Sequence, residues 1–148
     1  MIPKHILIDT NVCLDLFIFH DSRSAAIMTA LQSGAVEAVT RADCHTEWQR
    51  VLQYARLPIN DQNRRTINAE FDALIKMMKP TALSPRTDIL LPIFSDTDDQ
   101  KFLELALDAE ASMLVTKDKA LLKLVVKTAR IGLFAIIPPQ AWSTPLAE

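Results

Sequence analysis

Glycine is scarce in this chain. Only two glycines, Gly34 and Gly132, occur among its 148 residues. The phosphate-binding turns of dinucleotide-binding and P-loop folds are rich in glycine, because their backbone N–H groups must approach the ligand closely. No such turn is present, so most functions that use a nucleotide cofactor are excluded.

Long apolar runs and a positive net charge are also missing. Hydrophobic residues make up 49% of the chain, but they fall in short runs that do not approach the roughly 20 apolar positions of a membrane span. The net charge of -2 excludes a globally basic nucleic-acid binder, although local basic patches remain open. The first residues, Met1 to His5, lack the pattern of a signal peptide, so we expect a cytoplasmic protein with no membrane association.

Cysteine is limited to Cys13 and Cys44. A chain of this length can bury a continuous core without disulfides or a structural metal. We therefore expect one domain over residues 1–148, with both cysteines reduced and structural. A zinc site formed by these cysteines and the histidines is disfavoured, because the short paired spacings of structural zinc sites are absent.

Short apolar runs alternate along the chain with segments of helical periodicity. This alternation predicts a three-layer α/β/α sandwich with a central, mainly parallel sheet. Trp48 and Phe102 lie on apolar helical faces and are predicted to belong to the core. The predicted strands are residues 6–8, 35–40, 89–91, 113–116 and 133–137. The first predicted helix begins at a cap on Ser22 or Ser24 and ends at Ser33, before Gly34. The other four predicted helices cover 42–55, 61–79 before Pro80, a segment from a cap at Ser95 or Asp96 to about Glu110, and 119–128.

Four acidic residues lie where these elements begin or end. Asp9 and Asp118 follow two predicted strands, Glu47 lies early in the helix over 42–55, and Asp99 lies at the start of another helix. In open parallel sheets the functional crevice lies outside the carboxyl ends of the strands, so the four carboxylates can converge there. Gathered carboxylates repel one another unless a hard cation neutralises them, which predicts Mg²⁺ or Mn²⁺.

A divalent ion at such a site can promote phosphodiester hydrolysis, because it acidifies the attacking water and neutralises the leaving alkoxide. Mg²⁺ keeps several of its waters, so a few monodentate acids leave positions for the substrate phosphate. Thr10, Asn11 and Thr116 add neutral polar groups beside the acids. The residues predict a metal-dependent nuclease but do not choose between RNA and DNA.

Four segments carry a family resemblance. They are IDTNV at 8–12, EWQRVL at 47–52, DTDDQKFLELA at 96–106 and LVTKDKALL at 114–122. Their order and content resemble the four blocks of PIN-domain nucleases, in particular the toxins of bacterial toxin–antitoxin pairs (VapC-like). The resemblance spans nearly the whole chain.

The resemblance implies an endoribonuclease on a PIN-like fold with Mg²⁺ or Mn²⁺. It further implies a protein that is commonly dimeric and is silenced by a small antitoxin that covers the site. Lys117 stands where related sequences often have glycine, and Thr97 where many have proline; the first difference affects the loop that holds Asp118. By position, the acidic quartet is Asp9, Glu47, Asp99 and Asp118, with Asp96 in reserve and Asn11 and Thr116 in support.

Each of these residues also has a purely structural interpretation. Asp9 can stabilise a turn, Asp118 can cap a helix, and Glu47 can pair with Arg50 three residues later. Acids at a helix N-terminus are stabilised by the helix dipole. We assign this structural role to Asp98, and for Asp99 we weigh it against a role in the site. Basic side chains near the cleft are weak candidates for RNA-phosphate contacts and are otherwise solvent-facing: Lys117, Lys119, Lys123, Arg41, Arg50, Arg64 and Arg65.

Two other functions remain open. One is a catalytically silent PIN-like module that binds RNA or protein without cutting it. The other is a phosphatase with Asp9 as the covalent nucleophile, which is disfavoured because Asn11 replaces the second acid of an Asp-x-Asp site.

Overall fold

A five-stranded parallel sheet forms the centre of the protein. The computed structural model describes residues 3–79, 97–125 and 134–143. In that part of the chain the strand order is β3-β2-β1-β4-β5, and every neighbouring pair is parallel. The strands are β1 (Lys4–Ile8), β2 (Val36–Thr40), β3 (Ile75–Met77), β4 (Met113–Val115) and β5 (Ala135–Ile137).

Helices connect these strands and cover the sheet. The predicted three-layer α/β/α sandwich is therefore confirmed. The α-helices are α1 (Thr10–Leu14), α2 (Ala25–Ser33), α3 (Ala42–Val51), α4 (Asp61–Leu74), α5 (Thr97–Asp108) and α6 (Lys119–Leu122), and the shorter helical turns are a π-helical turn (Asp15–Phe19) and two 3₁₀ turns (Ser22–Ser24 and Pro139–Ala141).

Successive residues of each strand supply two separate cores, because side chains alternate between the faces of a sheet. Ile6 and Ile8 of β1 pack with α1 to α4, in a core that includes Trp48. Leu7 packs on the opposite face with α5 and α6, in a core that includes Phe102. Both aromatic residues are buried, as predicted.

The prediction of one helix over residues 61–79 was wrong at its C-terminal end. Helix α4 ends at Leu74, and Ile75 has the extended angles φ -116° and ψ 113°. The next residues form β3, in which Ile75 pairs with Ala38 of β2. The helical spacing of Ile75 and Met78 suggested a continuing helix, but pairing with a neighbouring strand, which lies 37 residues away in sequence, decided the conformation.

Two other helix ends differ from the prediction. Helix α3 ends at Val51 instead of extending to residue 55, and Ala55 is exposed. Ser24 occupies the N-cap position of α2, as predicted, but its side chain makes no capping hydrogen bond; the preceding 3₁₀ turn is capped by Asp21, which accepts from the N–H of Arg23. The predicted C-terminal stop at Gly34 is confirmed, with φ 78°, a conformation that glycine adopts without strain.

The second half of the chain follows the prediction in α5, whereas α6 ends at Leu122, before the predicted end at residue 128. Helix α5 ends at Asp108, near the predicted end, and buries the four predicted residues Phe102, Leu103, Ala106 and Leu107 together with Leu105. The strand predicted at 89–91 and the caps Ser95 and Asp96 lie outside the described residues. The prediction that the last helix runs to residue 128 was wrong, because Lys123 already closes the final turn of α6. Within the described ranges, no helix has the length and apolar character that crossing a bilayer requires.

Candidate metal centre

The switch point of the sheet lies between β1 and β4. The chain leaves β1 towards β2 on one side, and β4 pairs with β1 on the other side. The N–H of Asp9 donates to the carbonyl of Val115 at 3.0 Å, and the N–H of Thr116 donates to the carbonyl of Ile137 at 2.9 Å. Asp9 and Thr116 therefore leave the sheet side by side, at the crevice where ligands of open α/β sheets bind.

The hydroxyl of Thr116 links Asp9 to the segment that carries Asp118. This fully buried hydroxyl donates to Asp9 Oδ2 and accepts from the backbone N–H of Asp118 at 3.0 Å. The other oxygen of Asp9, Oδ1, accepts from the N–H of Val12 at 3.0 Å and caps α1. The two acids are thus held next to each other by neutral groups.

Burial makes the charge of Asp9 costly. It raises the pKa of Asp9 from 3.8 to about 6, and the nearby charge of Asp118 contributes in the same direction. The hydrogen bonds from Thr116 and Val12 and the charge of Lys117 lower the pKa but do not offset burial. A cation bound at this position would relieve the cost of ionising Asp9.

Asp118 caps a short helix. Its Oδ1 accepts from the N–H groups of Ala120 at 2.8 Å and Leu121 at 3.4 Å, at the start of α6. The structural interpretations of Asp9 as a turn residue and Asp118 as a cap are therefore both correct. Capping engages one carboxylate oxygen of Asp118 and is compatible with a ligand on the other.

Glu47 lies at the same end of the sheet as Asp9, and its carboxylate makes two side-chain contacts there. Its Oε2 accepts from the hydroxyl of Thr10, which follows Asp9, and its Oε1 lies 3.0 Å from the ammonium of Lys101. Both charged side chains are largely buried. The partner of Glu47 is therefore Lys101 of α5, whereas Arg50, the alternative partner suggested by sequence, is exposed.

Lys101 was not among the predicted site residues. Its position in the third family block was a usable signal, but nothing in the sequence showed that its side chain would meet Glu47, 54 residues away. The contact brings the N-terminal part of α5 close to Glu47. We call the end of the sheet that carries Asp9, Glu47 and Asp118 the acidic edge. The backbone of Asp99 lies in that turn, while its side chain and the reserve candidate Asp96 are outside the described part of the structure.

A second ion pair lies close by and was also missed. Lys117, between Thr116 and Asp118, contacts the buried carboxylate of Asp15 at 2.7 Å. The sequence marked Lys117 as a departure from the usual glycine and as a weak candidate for RNA contact. This lysine therefore pairs with an internal carboxylate. Four of the other basic candidates for RNA contact are exposed: Lys119, Lys123, Arg50 and Arg65. The supporting residue Asn11 is exposed as well.

Two of the candidate arginines are engaged within the protein. Arg41 contacts Asp43 at 2.7 Å and Glu104 at 2.9 Å, and these contacts raise its pKa. Arg64 contacts Asp61 and donates to a backbone carbonyl of α3's C-cap, Leu52. Their hydrogen bonds give both residues structural roles.

Both cysteines are buried free thiols. Burial raises the pKa of Cys13, and it raises the pKa of Cys44 to about 12. Neutral, buried thiols are poor metal ligands. The structural assignment of the cysteines agrees with this environment.

The donor chemistry at the switch point fits a hard divalent cation. Carboxylate and hydroxyl oxygens converge there, and the groups that hydrogen-bond to Asp9 are neutral. Among the described side chains, no three histidine, cysteine or acidic residues form a group able to hold a metal. A full ligand set therefore requires a further acid, and Asp99 is the one that the sequence predicts.

Comparison with known proteins gives a family. The family model described as PIN domain matches residues 5–120, a range that contains Asp9, Glu47, Asp99 and Asp118. No match was found among curated proteins.

The fold is also found in a solved structure. The chain is similar to one in the crystal structure of VapBC2 from Rickettsia felis bound to a DNA fragment from their promoter, with a TM-score of 0.57 and 14% identity. The similarity covers 90% of this chain and 98% of that chain. PIN domains are generally nucleases that depend on a divalent metal. Because the family model matches more than half of the sequence, this chain belongs to the PIN domain family.

Proposed function

We propose that this protein is an endoribonuclease that depends on Mg²⁺ or Mn²⁺ and acts as the toxin of a type II toxin–antitoxin pair. The observation that carries the proposal is the arrangement of Asp9, Thr116 and Asp118 at the switch point of a PIN domain. The groups that hydrogen-bond to the buried Asp9 carboxylate are neutral, so a bound cation would meet no competing ammonium at those hydrogen bonds and would favour the ionised form. These two acids would supply part of a nuclease metal centre, which Asp99 would complete.

Asp9, Asp118 and Asp99 would hold the metal, with Glu47 completing the centre and Asp96 in reserve. A bound divalent ion would acidify the attacking water and neutralise charge on the leaving oxygen. Oxygen ligands of this kind suit Mg²⁺ and Mn²⁺ better than softer metals.

The neighbouring residues position these acids. Thr116 fixes the orientation of the Asp9 carboxylate, and Thr10 together with Lys101 fixes that of Glu47. Asn11 and Lys119 are exposed beside Asp9 and Asp118 respectively, where they can contact the RNA backbone. Lys101 neutralises Glu47, so we assign Glu47 an orienting role and leave direct metal contact mainly to the aspartates.

The toxin role rests on the PIN domain and on the shared fold with a chain of the VapBC2 complex. We propose a cognate antitoxin that covers the acidic edge, a cytoplasmic location and a homodimer. Co-expression with the product of a short neighbouring gene, followed by copurification and an activity assay, tests the antitoxin. Unchanged nuclease activity in the presence of that partner would argue against silencing.

Cleavage of a fluorogenic RNA with Mn²⁺, with Mg²⁺ and with EDTA tests the nuclease assignment. We expect cleavage with either metal and none with EDTA. Asp118→Asn should lower the rate at least about 100-fold, because it removes a charge from the centre while its remaining oxygen can still cap α6. Asp61→Asn is the matched control, because Asp61 is an exposed acid at the start of another helix.

The same assay with DNA of identical sequence separates a ribonuclease from a general nuclease. Equal cleavage of both polymers would contradict the RNA assignment while leaving the metal-dependent nuclease intact. Full activity of Asp118→Asn would contradict the metal centre itself.

A silent binding module is the second candidate function. It is favoured by the ion pair of Glu47 with Lys101, which occupies one carboxylate oxygen of the proposed centre. Calorimetric titration with Mn²⁺ alongside the RNA assay distinguishes the two candidates. Metal binding without cleavage of any RNA would favour the silent module.

A further inference from the structure

Lys101 of α5 keeps its charged end inside the protein at the acidic edge. Its ammonium lies 3.0 Å from Glu47 Oε1, and the exposed fractions of the two side chains are 16% and 13%. A helical lysine usually extends its ammonium into water, because burial of the charge is costly unless it is paired. The fold therefore holds a positive charge beside a centre that is proposed to bind a cation.

The second oxygen of Glu47 is also engaged. Oε2 accepts from the hydroxyl of Thr10, the residue that follows Asp9. A neutral hydroxyl can remain hydrogen-bonded to a carboxylate that binds a metal, whereas an ammonium repels a second cation at the same oxygen. Lys101 is thus the contact of Glu47 that opposes direct metal binding.

Asp9 shows the opposite arrangement at the same edge. Its oxygens accept from the hydroxyl of Thr116 and from the N–H of Val12, which carry no net charge. A metal that approaches Asp9 meets no ammonium at these hydrogen bonds. Asp9 and Glu47 therefore differ in the charge of the group with which a metal would compete.

We propose that Lys101 weakens metal binding at this centre by holding Glu47 as an internal competitor of the metal, so that the metal binds to the aspartates. The proposal rests on the proposed metal-dependent function. The ammonium compensates the charge of Glu47 in the metal-free protein, and its positive charge opposes the approach of a divalent ion in a partly dehydrated site. Removal of the ammonium should free one oxygen of Glu47 and raise the metal affinity.

The packing of α3 against α5 does not depend on Lys101 alone. Arg41, the residue before α3, contacts Glu104 of α5 at 2.9 Å. Leu103 and Leu105 of α5 are completely buried in the core on that face of the sheet. Replacement of Lys101 should therefore leave the fold intact.

Calorimetric titration with Mn²⁺ in the absence of RNA measures the metal affinity directly. Lys101→Met should lower the Kd for Mn²⁺ about tenfold, which corresponds to about 1.4 kcal/mol. Lys101→Gln supplies a second neutral variant and should also lower the Kd. Lys101→Arg keeps the charge and should retain a near-native Kd.

Lys76→Met is the matched control. Lys76 also pairs with a glutamate, Glu37, at 3.5 Å. Glu37 lies near the start of β2, whereas the acidic edge lies at the carboxyl ends of the strands. Loss of this lysine should leave the Kd for Mn²⁺ unchanged.

Urea unfolding of the same variants separates this role from simple packing. In EDTA, Lys101→Met should unfold at a lower urea concentration than the native protein, because Glu47 is left without its cation. Mn²⁺ should narrow that difference, because a ligand adds most stability to the protein that binds it most tightly. A lysine that only packed would lower the unfolding midpoint equally in EDTA and in Mn²⁺.

The Glu47→Gln background tests whether Lys101 acts through Glu47. Glutamine carries no charge for the ammonium to hold, so adding Lys101→Met to Glu47→Gln should change the Kd for Mn²⁺ much less than Lys101→Met does alone. An equal gain in both backgrounds would overturn the proposed competition for Glu47.

Equal or weaker Mn²⁺ binding by both neutral variants would also overturn it. If RNA cleavage nevertheless depends on the metal, only the role of Lys101 is rejected. Tighter Mn²⁺ binding by Lys101→Met without cleavage of any RNA would reject the proposed ribonuclease function while supporting the role of Lys101. No Mn²⁺ binding by the native protein or by the neutral variants would reject the metal centre and this role together.

Discussion

Asp9 and Asp15 are both buried acids, and they lie on consecutive helical turns. Asp9 is held by a hydroxyl and a backbone N–H, whereas Asp15 contacts the ammonium of Lys117 at 2.7 Å. The charge of Asp15 is therefore balanced by an ion pair, while Asp9 is hydrogen-bonded and has no direct ion pair with any residue of the described ranges. The difference indicates that burial alone does not mark a candidate metal ligand, since Asp9 and Asp15 are both buried and differ in the charge of their partners.

Glu47 resembles Asp15 more than Asp9 in this respect. One of its oxygens contacts Lys101, and the other accepts from Thr10. An internal ammonium competes with an external cation for the same oxygen. The acidic edge thus contains one carboxylate, Asp9, that is better prepared for a metal, and another, Glu47, that already has a cationic partner.

The largest expected difference between Asp9 and Asp15 is in catalysis. Asp9→Asn should lower the rate of RNA cleavage at least about 100-fold, because it removes a charge from the proposed centre. Asp15→Asn should cost no more than about tenfold, the scale of one hydrogen bond of about 1.4 kcal/mol. Rates at saturating Mn²⁺ measure both effects. Equal losses in the two variants would remove the functional distinction.

A smaller effect is expected when the ion pair of Asp15 is broken. Lys117→Met should lower the free energy of unfolding by about 2 kcal/mol, because it leaves a buried carboxylate without its cation; partial exposure of Lys117 reduces the effect below that of a fully buried pair. Urea unfolding in EDTA gives the value.

The double variant Asp15→Asn with Lys117→Met serves as the control for that prediction. It should recover much of the lost stability, since no unpaired charge is left. If Lys117→Met is as stable as the native protein, Asp15 does not depend on this lysine.

The smallest expected effect is the pH dependence contributed by Asp9 in the metal-free protein. Its pKa of about 6 in the folded protein exceeds the ordinary value of 3.8, so the folded state takes up a proton at higher pH than the unfolded state. Stability should therefore rise as pH falls through 6, by about 1 kcal/mol between roughly pH 7 and 5.5.

Asp9→Asn isolates this contribution, because the amide does not titrate. Unfolding in EDTA at several pH values should show the native protein gaining stability relative to the variant as pH falls. A relative loss over the same range would reverse the sign and would mean that Asp9 is stabilised in its ionised form.

The sequence was informative about the sheet and the acidic edge for a local reason. The apolar run before Asp9 and the one before Thr116 are continuous, as in strands covered on both faces, so the ends of β1 and β4 could be located. The rule that sites lie at these ends then placed Asp9 and Asp118 at one edge. β3 was missed because its residues also fit the helical period of α4, and only its neighbour β2 selects the extended conformation.

The sequence by itself determined the alternation of strands and helices, the family blocks and the positions of the acids, because these depend on local pattern and order along the chain. Only the tertiary structure decided which cation or hydroxyl faces each acid. Three contacting pairs are each more than fifty residues apart in sequence: Thr116 with Asp9, Lys117 with Asp15 and Lys101 with Glu47. No periodicity encodes such contacts, because they arise where β1 and β4 end side by side and where α3 meets α5. These contacts distinguish an acid with neutral partners from one that already has a cationic partner.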